Sequence, residues 1–327
     1  MKHVYAILFH QNPDQLYRLI DRLNYENTFF VVHVCKNYKR YKELKSNLEV
    51  YDNVIFCKRE RATWASYYIA KAHLNAIITA LDEYGSFDTL TMLSGQTYPI
   101  KSNQYIFDYL SQYNGTDFIE YGKTSPVLNE DGKFWHPIKK QMTNRNLTIK
   151  YESYNIKIYK NFYLNLPWEN EPGTKLKSRF KNGFKDFLRL VIPKRKFLDG
   201  YESYIGSNWF SLSFASCRFL ADNYQKNRNY HHFMKYVFSA CEMFFQTALL
   251  NSERKSSIAN ENLHCIVWEG GKRSPKLFET KDFDELAQAG PDKLFARKFD
   301  MSLDEKILDL IDEKLLLKKL PQKLEVL

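Results

Sequence analysis

Thr28-Phe-Phe-Val-Val-His-Val34 is a run of β-branched and aromatic residues, interrupted only by His33, that stops at Cys35-Lys-Asn37. A run of this length without polar alternation reads as a strand covered on both faces. Upstream, Val4-Tyr-Ala-Ile-Leu-Phe9 has the same character and ends at His10-Gln-Asn-Pro13. Between the two, Leu16, Leu19, Ile20 and Leu23 recur at helical spacing from Asp14 to Leu23. Downstream, residues 38–49 read as a helix and Asn53-Val-Ile-Phe-Cys57 as a third strand. A helix over 66–82, opened by Thr63 or Ser66, leads to a fourth strand, Thr89-Leu-Thr-Met-Leu93, which breaks at Ser94-Gly95. Strand and helix therefore alternate four times, which predicts an α/β fold with a mostly parallel central sheet flanked by helices. Ligands of such sheets bind beyond the carboxyl ends of the strands. Here those ends are His10, Cys35, Arg59–Trp64 and Ser94–Tyr98.

The alternation weakens beyond residue 115. Residues 116–170 carry short aromatic strands and polar turns, as expected of an acceptor-side region or lid. Residues 175–196 hold nine Lys or Arg against the single Asp186, with Leu176, Phe180, Phe184, Phe187, Leu188 and Val191 at helical spacing. Such a basic amphipathic segment suits an anionic membrane face or an ordinary surface helix equally well, and Gly183 weakens it as a helix. Gly206-Ser-Asn-Trp-Phe-Ser-Leu-Ser213 reads as a strand that feeds a helix over 214–226. The apolar residues of Tyr236–Asn251 predict a helix pressed into the core, with Glu242 at its start. Asn262–Trp268 is expected to be a strand, Lys281–Leu286 a short helix, and Ile307, Leu308, Leu310, Ile311 and Leu315 the apolar face of a closing helix. With no repeat and no low-complexity linker, residues 1–327 read as one domain. Residues 1–115 are expected to form a nucleotide-sugar half and 116–327 an acceptor-binding and catalytic half.

Composition narrows the chemistry. Aromatic residues make up 16%, with 23 Tyr and 24 Phe, and the net charge is +10. Rings suit flat ligands such as bases or sugars, and the charge suits anionic partners such as nucleotide phosphates, nucleic acid or acidic lipid. The five cysteines, at 35, 57, 217, 241 and 265, show no C-x-x-C spacing and read as reduced core residues. Val4–Phe9 is too short and too close to Met1 for a signal peptide. No phosphate-binding glycine loop and no H-E-x-x-H occurs. Asp282-Phe-Asp284 follows Thr280 and reads as a helix cap, not as a metal-binding pair. That leaves Glu242 among aromatics, and the basic pairs Lys272-Arg273 and Arg297-Lys298. Transfer of a sugar from a nucleotide diphosphate needs a base for the acceptor hydroxyl and positive charge on the departing diphosphate. Fixed Arg and Lys side chains supply that charge without a metal.

Six stretches then appear in order: Val4–His10, Val31-Val-His-Val34, Leu93-Ser-Gly-Gln-Thr-Tyr-Pro-Ile-Lys101, Gly206-Ser-Asn-Trp209, Ser239–Phe245 and Leu294-Phe-Ala-Arg-Lys-Phe-Asp300. Together they resemble the landmarks of the core-2/I-branching β-1,6-N-acetylglucosaminyltransferases, a family of glycosyltransferases that also includes peptide xylosyltransferases. The resemblance implies a GT-A-like fold and an inverting, metal-independent transfer from a UDP-sugar, with GlcNAc as the transferred sugar and no cofactor. It implies Glu242 as general base, Arg273 and Lys298 on the diphosphate, and Leu8, His10, Cys35 and Trp64 on the nucleotide. Glu120, Trp209 and Trp268 match acceptor contacts by position. Two departures stand out: His33-Val-Cys35 replaces the family's H-V-D, and Ala240-Cys-Glu242 replaces its P-D-E.

The chain resembles a bacterial-type member. The expected role is surface-polysaccharide or glycoconjugate synthesis in the cytoplasm, on a saccharide or lipid-linked acceptor. Segment 175–196 would then touch the inner membrane face. UDP-xylose or UDP-galactose as donor, and a catalytically silent sugar-binding module, are the alternatives. A nucleic-acid-binding protein would also account for the charge, but no nucleic-acid motif is present.

Overall fold

Strand and helix follow one another through the first ninety-odd residues of the computed structural model in the expected order: β1 (His3–Phe9), α1 (Pro13–Leu23), β2 (Thr28–Val34), α2 (Tyr41–Leu48), β3 (Val54–Phe56), α3 (Tyr67–Tyr84) and β4 (Thr89–Ser94). Next come β5 (Thr97–Pro99), α4 (Asn103–Gln112), β6 (Asp117–Ile119) and β7 (Gly122–Lys123). The structure describes residues 1–63, 66–123, 197–235, 237, 239–269 and 274–317. The basic segment 175–196, Trp64, Lys272 and Arg273 lie outside the described residues. The second half contributes β8 (Tyr204–Ile205), β9 (Phe210–Ser213), α5 (Phe214–Lys226), α6 (Arg228–Met234), α7 (Phe244–Leu250), β10 (Ile258–Ala259) and β11 (His264–Ile266). It closes with α8 (Phe283–Ala287), β12 (Phe295–Arg297) and α9 (Lys306–Leu310), which runs on as a π turn over Ile311–Leu315.

Local chemistry sets the helix starts. The Asn12 side chain accepts from the Gln15 amide, with Pro13 at the first helical turn of α1. Ser102 and Ser213 do the same for α4 and α5. The expected cap at Thr280 is displaced by one residue. Glu279 and Asp282 form a reciprocal capping box, while Thr280 donates its amide and hydroxyl to Asp304. Asp282 also pairs with Lys276 at 2.8 Å, so the first acid of D-F-D is engaged in holding this turn.

Seven strands pair in the order β10-β6-β9-β4-β1-β2-β3. Four of the pairings are parallel, and β9 runs against both β4 and β6. Since β6 and β4 both oppose β9, β6 runs with β1, β2 and β4. Its carboxyl end, followed by Glu120, opens on the same edge as theirs. The sheet is covered on both sides because its strands alternate faces. Val4, Ala6 and Val31 pack against α3, α5 and α7, whereas Tyr5, Ile7, Phe30 and Val32 pack against α1, α2 and α9. A smaller sheet, β11-β12-β5, stands beside the main one.

The C-terminal helix is pinned to the N-terminal one by charge. Fully buried Asp312 accepts from Tyr98 Oη at 2.8 Å and from Arg18 Nη2 at 2.7 Å, and pairs with Arg22 Nε at 2.8 Å. Removing one partner of such a cluster strands the others in low dielectric. Asp312→Ala is therefore expected to cost about 3–5 kcal/mol, read from the urea midpoint. A loss below about 1 kcal/mol would mean that Asp309 and Asp21, which also touch Arg18 and Arg22, neutralise the guanidinium groups alone.

Candidate active site

The predicted single helix over 236–251 is broken. Ser239 takes a left-handed φ of 52°, Ala240–Glu242 form a 3-10 turn, and α7 begins only at Phe244. The break sets the height of Glu242. Its amide donates to Ser239 O at 2.9 Å, and its carbonyl accepts from the Gly206 amide at 2.7 Å. Gly206 directly follows β8 in a segment that lies along α7, and the strand expected to start at Gly206 begins only at Phe210. The Glu202 amide donates to Asn251 Oδ1, and the Tyr204 amide to Thr247 Oγ1, before Gly206 reaches Glu242.

Gly206 meets a second neighbour. A Cβ at this position would lie 1.8 Å from the carbonyl oxygen of Glu120 and 2.7 Å from its carbon. Only glycine lets the backbone of Glu120, at the end of β6, approach this closely. Gly206 thus brings the main chains of Glu120 and Glu242 onto one residue. Gln246 adds a brace from α7, donating to Ser207 O at 2.7 Å.

The two carboxyl groups feel their surroundings and each other. Burial pushes Glu242 up to about 7; a hydrogen bond with Ser239 opposes the rise, and the Glu120 charge adds to it. Glu120 is likewise raised, first by burial and then by Glu261, while Asn262 Nδ2 donates to its Oε2 at 2.6 Å. A carboxylate with a pKa near neutrality in an apolar wall suits a proton acceptor.

The cations approach from the other end of Gly206-Ser-Asn-Trp209. Cζ of Arg297 sits over the Trp209 ring, 4.3 Å from its centroid. Gly206 and Trp209 are three residue steps apart, a span of at most about 10 Å. Burial alone lowers the Arg297 pKa to about 10, and its Nε has no hydrogen-bond partner among the described residues. Among the described residues no carboxylate pairs with it. Lys298 follows, its pKa lowered by burial and then by Arg297, with Asp300 opposing. His10, at the end of β1, is lowered by desolvation and then by Lys298 and Arg297, which places all three within electrostatic reach. The segment is held from below by Gln15, which donates to Gly95 O and Phe299 O and accepts from the Met301 amide.

The site residues expected from the sequence fall into groups. Glu242 and Glu120 come together, as do Lys298 and His10. Leu8 is half-buried near the end of β1. Cys35 is buried just past β2, with its amide on Phe9 O. Its carbonyl and those of Val34 and Tyr38 accept from Arg59, so one guanidinium fixes this loop. Trp268 is half-buried two residues beyond β11. Trp209 is only 9% exposed and packs on Arg297, with the rings of His73 and His264 at 6.1 and 6.3 Å.

His73, Asn208, Gln246 and His264 were not singled out from the sequence, and Arg297 was named there only as half of a basic pair. Each has a buried polar atom without a partner among the described residues. Burial lowers both histidines to about 3, so both are neutral. A signal for Arg297 existed: on a strand it shares a face with Phe295, which is fully buried.

The family model described as Core-2/I-Branching enzyme matches residues 4–287. Among curated relatives, Xylosyltransferase 2 of Rattus norvegicus is 25% identical over 322 residues, covering 91% of this chain and 32% of its own length. A Xylosyltransferase of Ciona intestinalis is 23% identical, covering 92% and 32%. The chain thus spans about a third of the length of the curated relatives it matches. A solved structure, 4-diphosphocytidyl-2C-methyl-D-erythritol synthase from Anaerococcus prevotii, is 14% identical with a TM-score of 0.27, covering 41% of this chain and 62% of that one. At that distance it adds nothing to the fold described above. No described helix is long and apolar enough to cross a membrane. The family model spans both the strand that ends at His10 and the turn that carries Glu242, and the chain belongs to the Core-2/I-branching enzyme family of glycosyltransferases.

Proposed function

We propose that the protein is an inverting glycosyltransferase of GT-A-like architecture that moves a sugar from a UDP-sugar to a hydroxyl of a saccharide acceptor. The carrying observation is the arrangement along Gly206–Trp209: a carboxyl that desolvation pushes up to about 7 at one end, and at the other a guanidinium that pairs with no carboxylate among the described residues. In the reaction the acceptor oxygen attacks the anomeric carbon and its proton passes to Glu242. The bond from that carbon to the diphosphate oxygen breaks, and the electron pair leaves with the diphosphate. Arg297 and Lys298 meet the charge that develops there. Attack opposite the leaving group inverts the anomeric centre. In this reading Glu120, whose carboxylate accepts from Asn262, holds a neighbouring acceptor hydroxyl.

Fixed cations take the part that a metal plays elsewhere. Support comes from the D-F-D acid, Asp282, which is committed to a capping box and to Lys276. The transferred sugar is GlcNAc by family resemblance. The relatives named xylosyltransferase favour UDP-xylose as the second reading.

The test is a melting-point panel of nucleotides and UDP-sugars, followed by UDP release with and without saccharide acceptors. A ligand at 100 times its Kd stabilises by about 2.7 kcal/mol. UDP and one UDP-sugar are expected to raise the melting point, and acceptor-dependent UDP release is expected to persist in EDTA. No response to any nucleotide, or activity that EDTA abolishes and Mn²⁺ restores, would overturn the reading. Nucleotide binding without release on any acceptor would mark a silent sugar-binding module.

A further inference from the structure

Arg297 presents an unusual balance. A buried guanidinium is ordinarily neutralised by a carboxylate. Here the groups whose pKa its charge lowers are Lys298, His10 and His264, all basic in type, and no carboxylate pairs with it among the described residues. What it has is the face of Trp209, with Cζ 4.3 Å from the ring centroid. Trp209 is itself enclosed, between His73 on α3 and His264 on β11, and continues into Phe210 of β9. It is therefore part of the wall, not a mobile surface ring.

The mode of contact matters. A carboxylate partner would use the in-plane N–H donors of the guanidinium, the same donors that grip a phosphate with two parallel bonds. An aromatic face attracts the charge without needing those hydrogen bonds. Nε of Arg297 has no hydrogen-bond partner among the described residues. We infer that Trp209 is a positioning residue for the leaving group: its indole holds the Arg297 charge through the ring face, leaving the N–H edge free for the departing diphosphate. This rests on the reading of the protein as a transferase that releases a diphosphate. It also gives Trp209 a task distinct from the acceptor contact that its place in the sequence suggests.

The test titrates the purified protein with inorganic pyrophosphate and, separately, with uridine, which lacks phosphate. Cation–π contacts span effects from a few-fold to more than tenfold. Trp209→Leu is expected to weaken pyrophosphate binding about tenfold, Trp209→Phe about threefold, and both should leave uridine binding unchanged. Arg297→Gln should abolish pyrophosphate binding. If Trp209→Leu proves unstable, Trp209→Tyr and Trp209→Phe carry the test, with affinity expected to follow the order Trp, Tyr, Phe. Parent-like pyrophosphate affinity in the Trp209 variants, with binding lost in Arg297→Gln, overturns the inference while the transferase reading stands. An equal loss for uridine and pyrophosphate shows a purely structural tryptophan and also overturns it. If Arg297→Gln binds pyrophosphate normally, or the parent does not bind it, the diphosphate reading of the site fails first.

Discussion

Glu242→Gln is expected to lower the transfer rate by about 10²–10⁴-fold, the span typical of a lost general base, with UDP affinity unchanged. Gln keeps the size and hydrogen-bonding capacity of the side chain and removes only its ability to take a proton. The parent enzyme should lose rate as pH falls through about 7, where burial and the Glu120 charge place the Glu242 titration. The same shift has a stability signature of opposite convenience. The folded pKa of about 7 lies above the ordinary value of 4.5, so the folded state holds a proton that the unfolded chain has released between these limits. Stability from this group is therefore complete below about pH 4.5 and is lost as pH rises to about 7. Glu242→Gln escapes that loss and should be more stable than the parent at pH 8, by up to about 3 kcal/mol. The gain should vanish near pH 4. A variant with parent-like turnover, or a stability gain independent of pH, contradicts the assignment of Glu242 as base.

Gly206→Ala is the second large effect, and it acts through geometry alone. The new methyl would sit 1.8 Å from Glu120 O, so the strand at 204–206 must withdraw from β6 or from α7. Withdrawal from α7 breaks the Gly206 amide contact to Glu242 O. Withdrawal from β6 separates the two carboxyl groups. A displacement on the order of 1 Å costs roughly 10²-fold in rate, and overpacking costs about 1–3 kcal/mol in stability. The expected result is a folded protein with a lowered urea midpoint, at least about 100-fold slower. Full activity with an unchanged midpoint would show that the three segments are not in fact wedged together.

The first half of the fold was legible because its strands are long and covered on both faces. Thr28–Val34 and Val4–Phe9 could be little else, and the helices between them carry single apolar stripes. The second half was less so. β7, β8 and β10 have two residues each, too few for any periodicity. The Tyr236–Asn251 stretch reads as one helix because its apolar spacing is helical throughout. The carbonyl of Glu242 is instead claimed by Gly206, from a segment 36 residues away in sequence, and no local pattern encodes that contact. At the site, the ionisable residues Glu242, Glu120, Lys298 and His10 were visible as residue types in motifs. The close approach at Gly206 and the stacking of Arg297 on Trp209 depend on which chain segments meet, and so emerge only from the folded chain.

The Asp312 cluster ties residues that are made far apart in time. Arg18 and its partner Asp312 are separated by 294 positions. At roughly 5–20 residues per second, translation needs about 15–60 s to pass from one to the other. Throughout that interval the apolar face of α1 lacks the helix that covers it, and its two arginines lack their deep counter-ion. The nascent βαβ half can form its strands early, but it cannot close. Cutting the chain near residue 115 would leave β1–α4 without the helix that covers them, since that cover is synthesised after the turn that carries Glu242. Closure of the first half therefore waits on the last helix of the second, and the two are completed as one event.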